Sequence, residues 1–201
     1  LHFFDYQKLA KTKDKASIVI RTAVKNEKII TLDGVERKLN EEVLTITDGE
    51  KPIAIAGVMG ALNSEVDNKS TDILVEAAIF DKTNIRRTSR KLGLRSEAVA
   101  RFEKGLPNML PEVAINRAAQ LLSEIAKGKV AEGWVDVASE TEGSKEILLN
   151  PEKARRFLGT KITDKEIIGI LYRLGFIVTK KNDNYKVVSP WWRTDIKTVA
   201  D

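Results

Sequence analysis

Residues 18–55 read IVIRTAVKNEKIITLDGVERKLNEEVLTITDGEKPIAI, and this stretch decides the fold class. Four β-rich runs stand in it, Ile18 to Ala23, Lys28 to Leu32, Val43 to Thr47 and Ile53 to Ile55. They are too short for helices and are dense in branched residues. Asp33-Gly34 and Asp48-Gly49 break the runs, and both residue types tolerate the positive φ that tight hairpin turns require. The spacing predicts a meander of antiparallel strands. Downstream, Gly57-Val58-Met59-Gly60-Ala61 offers close backbone approach, and Ile73 to Ala77 reads as a further strand.

Helical patterning begins after that strand. Asp81 and Ser96 are placed to cap two segments ending at Gly105. A longer helix is expected from Pro111 to Lys127, with Ala114, Ala118, Leu121, Leu122 and Ile125 on one face and Gly128 as the stop. The Ser-, Glu-, Thr- and Gly-rich stretch from Ser139 to Ser144 has no apolar period and reads as a boundary, giving domains at 1–140 and 145–201. Beyond it come a strand at Lys145 to Leu149, a short helix opened by Asn150-Pro151, and a second helix capped by Thr163 and stopped by Gly175. A hairpin turning at Lys181 to Asn184 completes a helix–helix–hairpin order. The fold class expected is α+β: a mixed or antiparallel sheet domain with helices packed on it, then a small helix-rich, winged-helix-like domain.

Composition narrows the chemistry. The 201 residues contain no cysteine, which removes disulfides, thiolate zinc sites and a cysteine nucleophile together. With 42% hydrophobic and 31% charged residues the balance is that of a soluble globular protein, no run reaches the roughly 20 apolar residues of a membrane span, and no leader pattern opens the chain. A cytoplasmic location without a membrane partner is therefore expected. The start at Leu1 and a stop at Asp201 inside a run that reads as helical look like a piece of a longer protein. The net charge of +5 is compatible with a nucleic-acid partner.

Few side chains can carry acid–base chemistry. His2 is the sole imidazole, hence the only ordinary near-neutral base, unless it is simply a surface residue. Glu76 lies in the apolar run Ile73-Leu74-Val75-Glu76-Ala77-Ala78; burying it alone costs several kcal/mol, so it must face a salt-bridge partner or a pocket. Arg86, Arg87, Arg90, Lys91 and Arg95 put five cations within ten residues, which fits either phosphate contacts or a solvated helix face. The glycine stretch lacks the features of a P-loop or a dinucleotide fingerprint, and no nucleophile elbow is present. Trp191 and Trp192, after Pro190, read as an interdomain anchor rather than a base-stacking pair.

Several stretches together resemble the beta subunit of bacterial phenylalanyl-tRNA synthetases. They are Leu1-His2-Phe3-Phe4-Asp5, Leu32-Asp33-Gly34, Ala56-Gly57-Val58-Met59-Gly60, Leu74-Val75-Glu76-Ala77, Arg90 to Ala98, Arg101-Phe102-Glu103-Lys104-Gly105 and Pro190-Trp191-Trp192-Arg193, in collinear order along the whole chain. The resemblance implies an editing domain that hydrolyses tyrosine wrongly attached to phenylalanine tRNA, followed by a small domain with a DNA-binding-like fold. It implies His2 as the editing-site histidine, Glu76 as the group recognising the tyrosine hydroxyl, Gly57 and Gly60 lining the pocket, and Ser96 and Ala98 at its far wall. Ser96 stands where threonine is usual, and Ala61 where a second glycine often follows. The intact family enzyme is α2β2, with an alpha subunit, phenylalanine tRNA, ATP and magnesium as partners and cofactors. Its magnesium carboxylates fall at Asp195 and Asp201, but two completing glutamates would lie past residue 201, so no stable metal is expected, and editing itself needs no cofactor. Two rivals stand beside this reading. One is a tRNA-binding or scaffolding module without catalysis. The other is a DNA-binding winged helix, which the acids on the helix from Asp164 to Leu174 disfavour.

Overall fold

A computed structural model of the chain describes residues 1–12, 15–138 and 146–201. The expected linker at Ser139 to Ser144 lies outside the described residues. The chain divides into two compact units, Leu1–Ala131 and Glu132–Asp201.

In the first unit the strands are β1 (His2–Asp5), β2 (Lys11–Thr12), β3 (Lys15–Ala16), β4 (Val19–Thr22), β5 (Lys28–Ile30), β6 (Glu36–Lys38), β7 (Leu44–Thr47), β8 (Pro52–Ile55), β9 (Met59–Gly60) and β10 (Ile73–Glu76). The largest sheet has the order β4-β7-β8-β9, all antiparallel. β4 is fastened to β7 by more than the ladder, since Thr45 Oγ1 donates to Arg21 O at 2.9 Å and Thr47 Oγ1 to Val19 O at 3.1 Å.

The expected meander is corrected at one strand. β5 leaves the main sheet and folds back on β6 around Asp33-Gly34, with Gly34 at φ 76°. The β5–β6 turn is closed by Thr31 N–H to Val35 O and Gly34 N–H to Thr31 O, and β7 takes β4 as its neighbour. The hairpin is still tied to the sheet by the Thr31↔Ala61 bridge and by Leu32 N–H donating to Gly60 O at 3.0 Å.

Three helices follow: α1 (Lys82–Leu92), α2 (Glu97–Phe102) and α3 (Leu110–Ala126). Asp81 and Ser96 cap the first two, accepting from Asn84 N–H and Val99 N–H, and Gly93 ends α1 in the left-handed region. Ile85 of α1 and Val99 of α2 are sealed into the core with Phe4, Ile53, Ile55 and Val58. Each such side chain contributes about 1.5–3 kcal/mol of burial. Helix α3 buries less than its pattern promises. Only Ala118 is buried and Ile125 is 76% exposed, because a helix face goes dry only where something lies against it. Its left-handed stop is Lys127 at φ 57° rather than Gly128, whose N–H instead closes on Leu122 O.

The second unit contains β11 (Glu146–Leu149), α4 (Pro151–Leu158), α5 (Asp164–Arg173), β12 (Ile177–Lys181) and β13 (Asn184–Val188). Its sheet runs β11-β13-β12, and Phe176, Tyr185 and Val187 form its core. Asn150 caps α4, and Thr163 with Glu166 forms a reciprocal capping box on α5. Residues near Asp201 are not helical as expected. The Asp201 carboxylate accepts from Lys197 N–H and Thr198 N–H and closes a turn instead. Trp192 lies on Gly175, where an added Cβ would stand 3.0 Å from its Cζ2. That contact is internal to the second unit.

Candidate functional site

β1 and β10 pair antiparallel with His2 directly opposite Glu76 and Phe4 opposite Leu74. Side chains facing each other across such a pair lie on one side of the ribbon with Cβ atoms about 4.5–5.5 Å apart. The only imidazole in the chain and the carboxylate of an otherwise apolar run, 74 residues apart, therefore share one face. The Phe4 ring packs edge-on to the imidazole at 4.5 Å, which sets the plane of the imidazole from below.

Gly60 supplies the floor. A Cβ on Gly60 would stand 2.5 Å from His2 Nε2 and 3.2 Å from Leu32 Cδ1, so only a hydrogen at that position lets the ring lie where it does. The site thus draws on four separate segments: β1, the tip of the β5–β6 hairpin, β9 and β10.

Burial sets the electrostatics. Glu76 Oε2 is shut away from water and has no hydrogen-bond partner among the described residues. Desolvation pushes its carboxyl up to about 7. The same cause, desolvation, lowers His2 below 6.5. The pair sits opposed in a partly dry environment with an acceptor atom unsatisfied. A neutral imidazole able to take a proton faces a carboxyl able to hold a donor hydroxyl.

The other expected residues divide. Gly57, at φ 66°, is pressed against Phe80 and Ile85, where a Cβ would meet both at 2.7 Å; its lack of a side chain serves core packing. Ser96 Oγ donates to Val58 O at 2.6 Å while capping α2, so its hydroxyl fastens that helix to the glycine loop. Ala98 is the second residue of α2 and is half-buried. Of the backbone donors between Gly57 and Gly60, Val58 N–H is already used by Ile55 O.

Among the five cations, Arg86, Arg87, Arg90 and Lys91 are exposed on α1, and Lys91 is bridged to Glu42 at 3.3 Å. Arg95 lies 4.0 Å from Glu103. Arg86, Arg87 and Arg90 make no ion pair among the described residues. A shallow cavity of about 290 Å³ is lined by Arg87, Lys91, Asn84 and Asn40 among others, on a surface that does not include His2 or Glu76.

Asp195 and Asp201 are both engaged within the chain. Arg193 grips Asp195 through two hydrogen bonds of 2.8 Å and holds it at about 2, and Asp201 is spent on its own turn. No group of three potential metal ligands occurs among the described residues. Nor is any helix there long and apolar enough to cross a membrane.

Sequence reasoning missed the Thr31–Asp33–Arg37 cluster beside the site. The Asp-Gly turn pointed to the hairpin but not to what its tip touches.

Comparison with known proteins adds the following. Residues 1–127 match the family model described as B3/4 domain, and residues 147–201 match that described as tRNA synthetase B5 domain. A phenylalanine–tRNA ligase beta subunit from Halalkalibacterium halodurans is 42% identical over 201 residues, covering all of this chain and 24% of that protein. Those of Moorella thermoacetica and Carboxydothermus hydrogenoformans are 43% and 41% identical, with 24% and 25% of their length covered. The chain thus spans about a quarter of the length of the curated relatives it matches. A crystal structure of an N-terminal fragment of the phenylalanyl-tRNA synthetase beta-subunit from Pyrococcus horikoshii aligns with 98% of this chain and 55% of its own, at 17% identity and a TM-score of 0.47.

Proposed function

The chain belongs to the B3/4 domain family, carries a tRNA synthetase B5 domain behind it, and aligns along its whole length with phenylalanine–tRNA ligase beta subunits, and from that premise we propose that its first unit hydrolyses tyrosyl-tRNA formed on phenylalanine tRNA. The observation that carries the reading is the buried, partnerless Oε2 of Glu76 standing opposite the chain's single histidine.

A tyrosine side chain supplies what that oxygen lacks. Its phenolic O–H donates to Glu76, whereas phenylalanine would leave the acceptor dry and unpaired, and sites built on such a bond reject the analogue without it strongly. An apolar synthetic pocket excludes an added hydroxyl only modestly, so a second sieve that selects for the hydroxyl is chemically sensible.

Hydrolysis then needs a base and an oriented water. In the proposed step a water oxygen adds to the ester carbonyl while neutral His2 takes the water proton. The bond to the terminal ribose oxygen breaks, and that oxygen leaves protonated. His2 held below 6.5 is neutral at pH 7 and ready for this role. Backbone N–H groups near Gly57 to Gly60 and the tRNA's terminal ribose hydroxyl are the groups proposed to stabilise the developing oxyanion.

The exposed arginines of α1 are assigned to the tRNA backbone, as cations without ion-pair partners among the described residues fit phosphates best. For the whole protein the same reading proposes ATP- and magnesium-dependent charging of phenylalanine tRNA together with an alpha subunit, in the cytoplasm, with none of the charging chemistry carried by these residues.

Deacylation of tyrosyl-tRNA(Phe) by the wild-type chain and its His2→Ala and Glu76→Ala forms tests the proposal. Both variants should lose activity by at least about a hundredfold, the range general-base and positioning groups contribute. Equal rates in all three would discard the reading, and a trapped acyl-serine intermediate would discard the water mechanism.

A further inference from the structure

The tip of the β5–β6 hairpin, the three residues Leu32 to Gly34 closed by Thr31 N–H to Val35 O, carries more bonds than its backbone requires. Asp33 accepts from Arg37 through both carboxylate oxygens at 2.7 Å, and from Thr31 Oγ1 at 2.7 Å. Arg37 Nη1 also donates to Thr31 Oγ1, and the Thr31 hydroxyl reaches Val35 O at 3.2 Å. Thr31 is fully buried and the Arg37 side chain is only 13% exposed, while the Asp33 side chain is 35% exposed, so this is a forked ion pair with its guanidinium side shielded and its carboxylate side open to water. Arg37 first and Thr31 second hold the Asp33 carboxyl far below the usual carboxylate range.

What this brace fixes is Leu32. The residue lies between Thr31 and Asp33, its N–H is bonded to Gly60 O, and its Cδ1 borders the same space at Gly60 that the imidazole fills, 3.2 Å from where a Cβ would stand. Leu32 is nonetheless 38% exposed, so it is a wall with one open face and not part of the core. A leucine bonded by its backbone to the floor of the site, beside the imidazole and opening to solvent, is placed to touch whatever enters.

We propose that Leu32 is a substrate-contacting, specificity-determining wall of the His2–Glu76 site and that Thr31, Asp33 and Arg37 are positioning residues that hold it there. The proposal rests on the hydrolytic reading for what Leu32 touches, an aromatic aminoacyl group, but not for where Leu32 stands. Its methyls cover one edge of the imidazole and narrow the entrance beside Gly60. The brace acts at one remove. It sets the height of the hairpin tip, and through it the width of the site.

The single histidine makes a clean probe, because only one imidazole Cε1–H signal exists in the chain. Its NMR shift and titration midpoint are to be followed in the full 201-residue protein, in the Leu32→Ala, Arg37→Ala and Arg37→Lys variants. The ionisable group facing this ring across the ladder is Glu76, and it is not altered. Opening the wall admits water, so Leu32→Ala and Arg37→Ala should both move the Cε1–H signal and raise the midpoint toward 6.5, with Arg37→Lys between them and wild type. In tyrosyl-tRNA(Phe) hydrolysis Arg37→Ala should lower kcat by about tenfold with KM little changed, the mark of mispositioning, while Leu32→Ala should chiefly raise KM. A purely structural role for Arg37 would reduce the folded fraction but leave the histidine signal of folded molecules unmoved. If the signal and midpoint stay at wild-type values in Leu32→Ala and in folded Arg37→Ala, the proposal is overturned. If they move as expected while no form, wild type included, hydrolyses the ester, the wall stands and the hydrolytic reading falls.

Discussion

Replacing Glu76 by glutamine should stabilise the first unit, and only at neutral and alkaline pH. A carboxyl raised from 4.5 to about 7 on folding binds its proton more tightly in the folded chain than in the unfolded one. Between those two values the folded state carries more protons, so the stability of the wild type falls as pH rises and then levels off above 7. At about 1.4 kcal/mol per pH unit the penalty has a ceiling of roughly 3 kcal/mol, and water entering the open side of the site brings it nearer 2. Glutamine keeps the shape and cannot ionise. Urea unfolding followed through the amide signals of Phe4 and Val75, which flank the pair on β1 and β10, should show Glu76→Gln more stable than wild type by about 2 kcal/mol at pH 8, with the gap closing toward pH 4.5. His2 works in the other sense, since a depressed histidine takes stability away as pH drops below 6.5, but it is common to both proteins and leaves the difference intact. A gap that is the same at pH 5 and pH 8 would refute the claim that the folded site holds Glu76 as a desolvated, unpartnered carboxylate. The same substitution tests function from the side, for glutamine still offers the phenol an acceptor oxygen and should keep more hydrolysis than alanine does.

Gly60→Ala should fold yet lose hydrolysis, because its Cβ would have to displace the imidazole; a shifted His2 NMR signal at near-wild-type Tm is the expected pairing. Ser96→Ala removes both the cap of α2 and the 2.6 Å bond to Val58 O and should cost about 1–2 kcal/mol by chemical denaturation, whereas Ser96→Thr should be close to neutral. Arg86→Gln and Arg90→Gln should each weaken tRNA binding and lower the slope of log affinity against log salt by about 1, and an unchanged slope would return these residues to the solvated helix face. Thr163→Ala breaks the capping box of α5 and should destabilise the second unit by about 1 kcal/mol, visible in its tryptophan fluorescence, since all three tryptophans follow residue 131.

Much of the fold was legible in sequence because its signals are local. Asp33-Gly34 turns where Asp-Gly turns; Asp81, Ser96, Asn150 and Thr163 cap because their side chains reach an N–H two or three residues away; Gly93, Gly159 and Gly175 take the left-handed region that glycine occupies freely. Partners of strands are not local, and there the reading failed. Nothing in Lys28 to Leu32 says that it pairs with Glu36–Lys38 rather than joining the main sheet, and nothing in Ile125 says that no element will cover it. The candidate site divides along the same line. That His2 is the one imidazole and that Glu76 sits among apolar residues follows from the sequence alone, as does the absence of any cysteine nucleophile. That the two face each other, that Gly60 is bare because a ring lies on it, that Gly57 and Ser96 are engaged in packing and capping, and that Leu32 stands over the floor were decided only when β1 met β10 and the hairpin docked on β9. Antiparallel register is a contact between residues far apart in the chain, chosen by which faces can be buried together, and no window of sequence contains it.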